Sequence, residues 1–260
     1  MDLKGKVAIV TGASSGIGQA TAIGLAKIGC FVTITGRNAE NVDKTKQSCI
    51  AAGLTENQIR TVVGDITTED VRSSLIKTAL EINGKLDLLV NNAGIANDGP
   101  ITERPISDFE EILSVNLISV IALSQLAIPH LVATKGSIVN VSSLAGMRPN
   151  ARSPYYSISK AGLDMLTKTL ALELAPKGVR VNSVNPAVVE TPIWTSQGHP
   201  DEEIKKMLAV LTQFHPIGRI GQPSDVAATI IFLASSHASF ITGNLVKIDG
   251  GAEYFFNRPS

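Results

Sequence analysis

Short runs of consecutive apolar residues alternate along this chain with longer stretches whose apolar positions recur every three or four residues. Val7-Ala8-Ile9-Val10, Phe31 to Thr35, Arg60 to Val63, Leu86 to Val90, Ser137 to Val141, Arg180 to Val184 and Leu245 to Ile248 read as seven strands. Between them, Ile17 to Ile28, Ala39 to Ala51, Glu69 to Ile82, Phe109 to Leu131, Tyr155 to Leu174 and Pro223 to Leu233 read as helices. Gly29, Gly53, Gly84 and Pro176 lie at or just past helix ends, and Pro223 opens the last helix. Strands that are apolar throughout, with helices between them, predict a parallel sheet covered on both faces. The expectation is an α/β, doubly wound fold of one domain over residues 1–260, since no low-complexity linker divides the chain. One segment, residues 188–216, breaks the rhythm. It holds Trp194, Gly198, His199 and Pro200 and an amphipathic piece from Glu202 to Phe214. An insertion this long after a strand reads as a substrate lid.

Composition narrows the picture. With 23 basic and 23 acidic residues the formal charge is zero, so no electrostatic footprint for nucleic acid or an anionic membrane is visible. The first residues carry Asp2, Lys4 and Lys6 where a signal peptide needs an apolar stretch. Leu117 to Val132 is the most apolar long run, and its polar interruptions leave it short of the ~20 residues of a membrane span. Two cysteines, Cys30 and Cys49, are placed for no structural disulfide, which fits a reducing, cytoplasmic setting. No Cys/His cluster has metal-ligand spacing, so no metal is expected.

The first strand runs into Thr11-Gly12-Ala13-Ser14-Ser15-Gly16-Ile17-Gly18 and then a helix. Small residues there let backbone N–H groups approach a pyrophosphate at a helix N-terminus. Such a strand-to-helix turn points to a Rossmann-type fold and a bound dinucleotide. A carboxylate at the end of the second strand would hold a ribose 2′-hydroxyl. Here that position reads Gly36-Arg37-Asn38. A guanidinium suits a 2′-phosphate, so the charge logic favours NADP(H) over NAD(H).

Tyr156 and Lys160 lie four apart at the start of a helix, on one face. An ammonium beside a phenol favours the phenolate and lowers its pKa. Such a tyrosine can give or take a proton when a ketone is reduced or an alcohol oxidised. Tyr155 lies ~140° around the helix from Lys160, against ~40° for Tyr156, so Tyr155 reads as a packing or pocket-wall residue.

Together these residues resemble the short-chain dehydrogenase/reductase family, in its single-domain Y-x-x-x-K branch. The resemblance runs from Lys6 to about Gly251 through Thr11 to Gly18, Asp65, Asn91-Asn92-Ala93-Gly94, Asn116, Ser142-Ser143, Tyr156, Lys160, Pro186 to Thr191 and Asp249-Gly250-Gly251. It implies that Ser143 hydrogen-bonds the substrate oxygen, that Tyr156 is the acid–base group, and that Lys160 lowers its pKa and holds the nicotinamide ribose. It also implies that Asn116 anchors a water relaying protons to Lys160. For the cofactor it implies contacts from Gly12, Ser14, Ser15, Ile17 and Gly18 around the phosphates, and from Arg37 and Asn38 at the 2′-phosphate. Asp65 and Ile66 would meet the adenine, Asn92, Ala93 and Gly94 the ribose, and Pro186, Val189 and Thr191 the nicotinamide.

One departure stands out: Ala187 follows Pro186 where the family usually has glycine. Its Cβ is expected to restrict the turn beside the nicotinamide. Ala145, Met147, Trp194, Met207 and Phe214 are the candidate substrate-pocket residues. The reading is an NADP(H)-dependent oxidoreductase acting on a small-molecule carbonyl or secondary alcohol, with a neutral apolar substrate. The family resemblance implies a homotetramer or a dimer. An NAD-preferring alcohol dehydrogenase is the near alternative. A non-catalytic dinucleotide sensor is the alternative of another class, and such a protein has no need of the full Ser143, Tyr156, Lys160 and Asn116 set.

Overall fold

A computed structural model describes residues 2–194 and 201–257. Seven parallel strands form one sheet in the order β3-β2-β1-β4-β5-β6-β7. They are β1 (Val7–Val10), β2 (Phe31–Gly36), β3 (Ile59–Val63), β4 (Leu88–Asn91), β5 (Ser137–Val141), β6 (Arg180–Pro186) and β7 (Leu245–Ile248). The helices are α1 (Gly16–Lys27), α2 (Ala39–Ala51), α3 (Glu69–Asn83), α4 (Ile106–Leu113), α5 (Ser119–Thr134), α6 (Pro154–Leu174), α7 (Asp201–Thr212) and α8 (Pro223–Ala234).

Alternation along β1 shows how the sheet divides its core. Ala8 and Val10 pack with Ala22 and Leu25 of α1, Val42 of α2, and Val226 and Ile230 of α8. Val7 and Ile9 turn to the opposite face, against Leu75 of α3, Leu123 and Leu131 of α5, and Leu170 and Leu174 of α6. Each fully buried Leu or Ile contributes about 1.5–3 kcal/mol, and two such layers hold the sheet from both sides. β1 pairs with β2 on one side and β4 on the other. The strand order therefore reverses beside β1, where open α/β sheets place ligands at their carboxyl ends.

The helix expected over Phe109 to Leu131 is longer and is not uniform. Between α4 and α5, residues Ser114–Ile118 form a π-helical turn with Asn116 buried at its centre. Ile106–Thr134 is thus one helical run of 29 residues, with an 18-residue window of mean hydropathy 1.9. By length and composition alone it could cross a bilayer, which the interrupted stretch Leu117 to Val132 did not suggest. Its Leu123, Ala127 and Leu131 are nevertheless buried against the sheet. The amphipathic piece of the 188–216 segment is α7. Gly198, His199 and Pro200 lie outside the described residues.

Candidate active site

The turn after β1 is held from the neighbouring strand. Thr11 Oγ1 accepts hydrogen bonds from the amides of Asn92 and Ala93, both at 2.9 Å. Asn92 Nδ2 donates to the carbonyls of Thr11 at 2.8 Å and Gly12 at 3.0 Å. Gly12 has φ +61°, and a Cβ there would fall 2.8 Å from Ala93 Cα. At Gly18 a Cβ would fall 2.4 Å from both Asn92 Nδ2 and the Gly12 oxygen. The glycines thus leave a cradle that side chains would fill. It opens at the N-terminus of α1, whose first turn carries no acidic residue, so nothing opposes an anion there. A dinucleotide pyrophosphate fits this cradle. At the end of β2, Arg37 lines the same cleft. Hydrogen bonds from the Thr67 amide and hydroxyl hold the Asp65 carboxyl below its ordinary range, with the nearby Arg37 charge adding to them.

Further along the cleft, Ser143 follows β5 and Tyr156 and Lys160 rise from α6. All three line one cavity of about 880 Å³ with the phosphate turn. Ser143 Oγ accepts from the Ala145 amide at 3.1 Å. The Tyr156 phenol is pushed above its ordinary pKa by burial, and a side-chain hydrogen bond with Ser143 pulls it back. Lys160, 4% exposed, donates from Nζ to the Val141 carbonyl at 2.8 Å. Burial pulls its pKa down to about 8, opposed by the charge of Asp164. The groups that set the Tyr156 pKa here are its burial and Ser143, and the lowering expected from Lys160 is not among them. The ammonium is turned toward Val141, and desolvation dominates both groups.

The family match now follows from comparison as well as geometry. Residues 12–253 match the family model described as enoyl-(acyl carrier protein) reductase. The chain is 37% identical over 252 residues to the 3-oxoacyl-(acyl-carrier-protein) reductase of Thermotoga maritima, covering 96% of this chain and 99% of that one. It is 40% identical over 248 residues to cis-4-hydroxycyclohexanecarboxylate dehydrogenase of Sinomonas cyclohexanicum, covering 95% and 96%. A short-chain dehydrogenase/reductase of unknown function from Caenorhabditis elegans, solved with cofactor, superposes with a TM-score of 0.92 at 41% identity over 96% of each chain. The chain belongs to the short-chain dehydrogenase/reductase family.

Most residues expected from the family's motifs meet in the cleft: Gly12, Ser14, Ser15, Ile17, Arg37, Asp65, Ile66, Asn92, Ala93, Gly94, Pro186, Val189 and Thr191 all line it. Three expected residues act from behind the wall. Gly18 packs beneath Gly12 and Asn92. Asn38 caps α2, its Oδ1 accepting from the Asn41 amide at 2.9 Å. Asn116 uses its whole side chain on protein partners. Its Oδ1 accepts from the Ile95 amide at 2.9 Å, and its Nδ2 donates to the Ile95 carbonyl at 2.9 Å and to Ser159 Oγ at 3.0 Å. The side chain braces the segment after β4.

On the substrate side, Ala145, Trp194, Met207 and Phe214 line the cleft, whereas Met147 is 37% exposed and lies outside it. Met147 ends the short 3-10 turn Leu144–Gly146, which turns it away and brings Arg148, Pro149 and Asn150 to the rim instead. Tyr155 is a packing residue: its ring stands 5.0 Å from that of Phe109 and its hydroxyl donates to the Arg104 carbonyl. Ala187 brings no strain, since Lys135 is the only non-glycine at positive φ among the described residues.

Two functional supports escaped the motif reading. Asn185 Nδ2 donates to the Ser143 carbonyl at 3.1 Å and to Asp164 Oδ1 at 2.9 Å. Ser142 Oγ donates to the Lys160 carbonyl at 3.2 Å. This buried polar net ties the serine turn to the helix that carries Tyr156 and Lys160.

Proposed function

We propose that the protein is an NADP(H)-dependent oxidoreductase interconverting a ketone and a secondary alcohol. The convergence of Ser143, Tyr156 and Lys160 on one cleft with the phosphate turn carries this reading. When bound, a nicotinamide dinucleotide supplies or accepts the hydride. The chain's own part is positional and protonic. Ser143 and Tyr156 converge where a substrate oxygen would sit, with Tyr156 Oη as proton donor in reduction and acceptor in oxidation. Lys160 supplies positive charge behind the phenol. The preference for NADP(H) rests on Arg37 at the β2 end, where a carboxylate would repel a 2′-phosphate.

Apolar walls from Trp194, Met207, Leu211 and Phe214 support a neutral substrate with an apolar body. The relatives are named a 3-oxoacyl-(acyl-carrier-protein) reductase and a cis-4-hydroxycyclohexanecarboxylate dehydrogenase, both within alcohol–carbonyl chemistry. Ile118 at the end of the π turn, Leu126 on α5, and Ile158, Met165 and Leu172 on α6 are exposed. An apolar face of this kind supports assembly through these helices, in a homotetramer. The free, buried Cys30 and Cys49 fit a cytoplasmic setting. A panel of neutral and charged carbonyl compounds, followed by NADPH and NADH consumption, tests the reading. Turnover of neutral ketones with NADPH supports it; turnover confined to charged substrates, or none at all, rejects it. Sedimentation velocity tests the tetramer.

A further inference from the structure

Among the described residues, the lid side of the cleft holds a buried polar group for which hydride transfer provides no task. His215 follows α7, lines the cleft and is 5% exposed. Its Nδ1 lies 2.8 Å from the Leu211 carbonyl. A carbonyl only accepts, so the neutral ring keeps its proton on Nδ1 and presents a lone pair at Nε2. That Nε2 is buried and meets no hydrogen-bond partner among the described residues. Gly250 closes the ring's other side, where a Cβ would come 3.7 Å from His215 Cδ2. The neighbouring wall is apolar, formed by Ile193, Trp194, Met207, Leu211 and Phe214. Buried acceptors are normally paired. A single one in an apolar ligand wall selects a ligand that brings the missing donor.

We propose that His215 Nε2 accepts a hydrogen bond from a substrate hydroxyl other than the reacting one. The substrate is then a diol, or the matching hydroxyketone, with an apolar body. The role given to His215 rests on the alcohol–carbonyl reading above and refines it. The reacting oxygen faces Ser143 and Tyr156, and the second hydroxyl faces the lid.

The test compares cyclohexane-1,2-diol with cyclohexanol in the wild type, His215→Asn and His215→Gln. Asparagine can keep a donor toward the Leu211 carbonyl but has no acceptor at the Nε2 position. Glutamine can bring an amide oxygen near it. Wild type should favour the diol in kcat/KM. His215→Asn should lose roughly 3- to 15-fold on the diol, the size of one neutral hydrogen bond, with cyclohexanol unchanged. His215→Gln should recover part of that loss. Trp194 is the only tryptophan in the chain and lines the cleft, so its fluorescence reads diol affinity without turnover and should follow the same order. Equal losses on both alcohols would mean a structural histidine and overturn the role. So would unchanged kinetics in His215→Asn, the outcome if a buried water satisfies Nε2, and so would a wild type that oxidises cyclohexanol but not the diol. In all three cases the alcohol–carbonyl reading stands. If wild type neither binds nor turns over either alcohol, both readings fall.

Discussion

The Lys160 ammonium stands 5.6 Å from the centroid of the Tyr156 ring, one helical turn along α6. Both groups are removed from water, and burial drives each toward its neutral form: the phenol upward and the ammonium downward. Ser143 is the group that pulls Tyr156 back. Tyr156→Phe should therefore lower kcat roughly 10²–10⁴-fold, the usual contribution of a general acid, while dinucleotide affinity stays within a few-fold. Ser143→Ala should raise the phenol pKa further, seen as a later ultraviolet transition in a titration that subtracts Tyr156→Phe. Full activity in Tyr156→Phe would remove the tyrosine from the mechanism.

The cofactor preference turns on one side chain. Arg37 is exposed at the end of β2 and lines the cleft. Arg37→Asp should weaken NADPH binding by at least tenfold, because one charge-assisted contact becomes a repulsion. NADH binding should hold or improve, since a carboxylate there can accept from a ribose hydroxyl. Fluorescence titration with both reduced dinucleotides measures this, and equal losses for the two would refute the 2′-phosphate argument.

How much of this was legible before folding depends on where the partners come from. β1, β5 and β7 fall on the runs of apolar residues that predicted them, and α2 on the span that did so, because pattern and punctuation there are local. Gly12 and Tyr156 were readable from spacing for the same reason. Asn38 reads as a cofactor contact from its motif, and the fold adds a second task, since its side chain caps α2. The π turn around Asn116 has no compositional mark, since it arises from how the run docks on Ile95 and Ser159. His215 and Asn185 were invisible as functional groups. Their meaning lies in a carbonyl, a carboxylate and a wall supplied by other parts of the fold.

Lys160 should leave a signature in stability. Its pKa falls from 10.5 to about 8 on folding. Between those values the unfolded chain binds more protons, so this group makes stability rise with pH across about 8 to 10.5. Below about pH 8 the ammonium is buried at full cost. Lys160→Met should raise the unfolding free energy of the dinucleotide-free protein at pH 7 by up to about 3 kcal/mol. The gain should shrink toward pH 10.5. Denaturant unfolding of both proteins at the two pH values measures this, and a difference independent of pH would contradict it.

Asp164 offers the sharpest separation of electrostatics from architecture. It lies one turn beyond Lys160 on α6, is 5% exposed, and accepts from Asn185 Nδ2 at 2.9 and 3.0 Å. Burial raises its own pKa, and its charge raises that of Lys160. Asp164→Asn can still accept from Asn185 through its amide oxygen, so the serine turn stays tethered. What is lost is the negative charge. A carboxyl with a raised pKa gives the fold stability at low pH that is lost as pH rises through the folded value, so burying its charged form is a burden. Asp164→Asn should thus unfold at the same Tm or higher at pH 7. Lys160 should then lose its proton at a lower pH than about 8, and the alkaline limb of the kcat profile that depends on its charge should move to lower pH with it. Asp164→Leu, which cannot accept from Asn185, should instead lower Tm and kcat together. A pH profile unchanged in Asp164→Asn would show that Asp164 serves only to hold Asn185, with no electrical influence on Lys160.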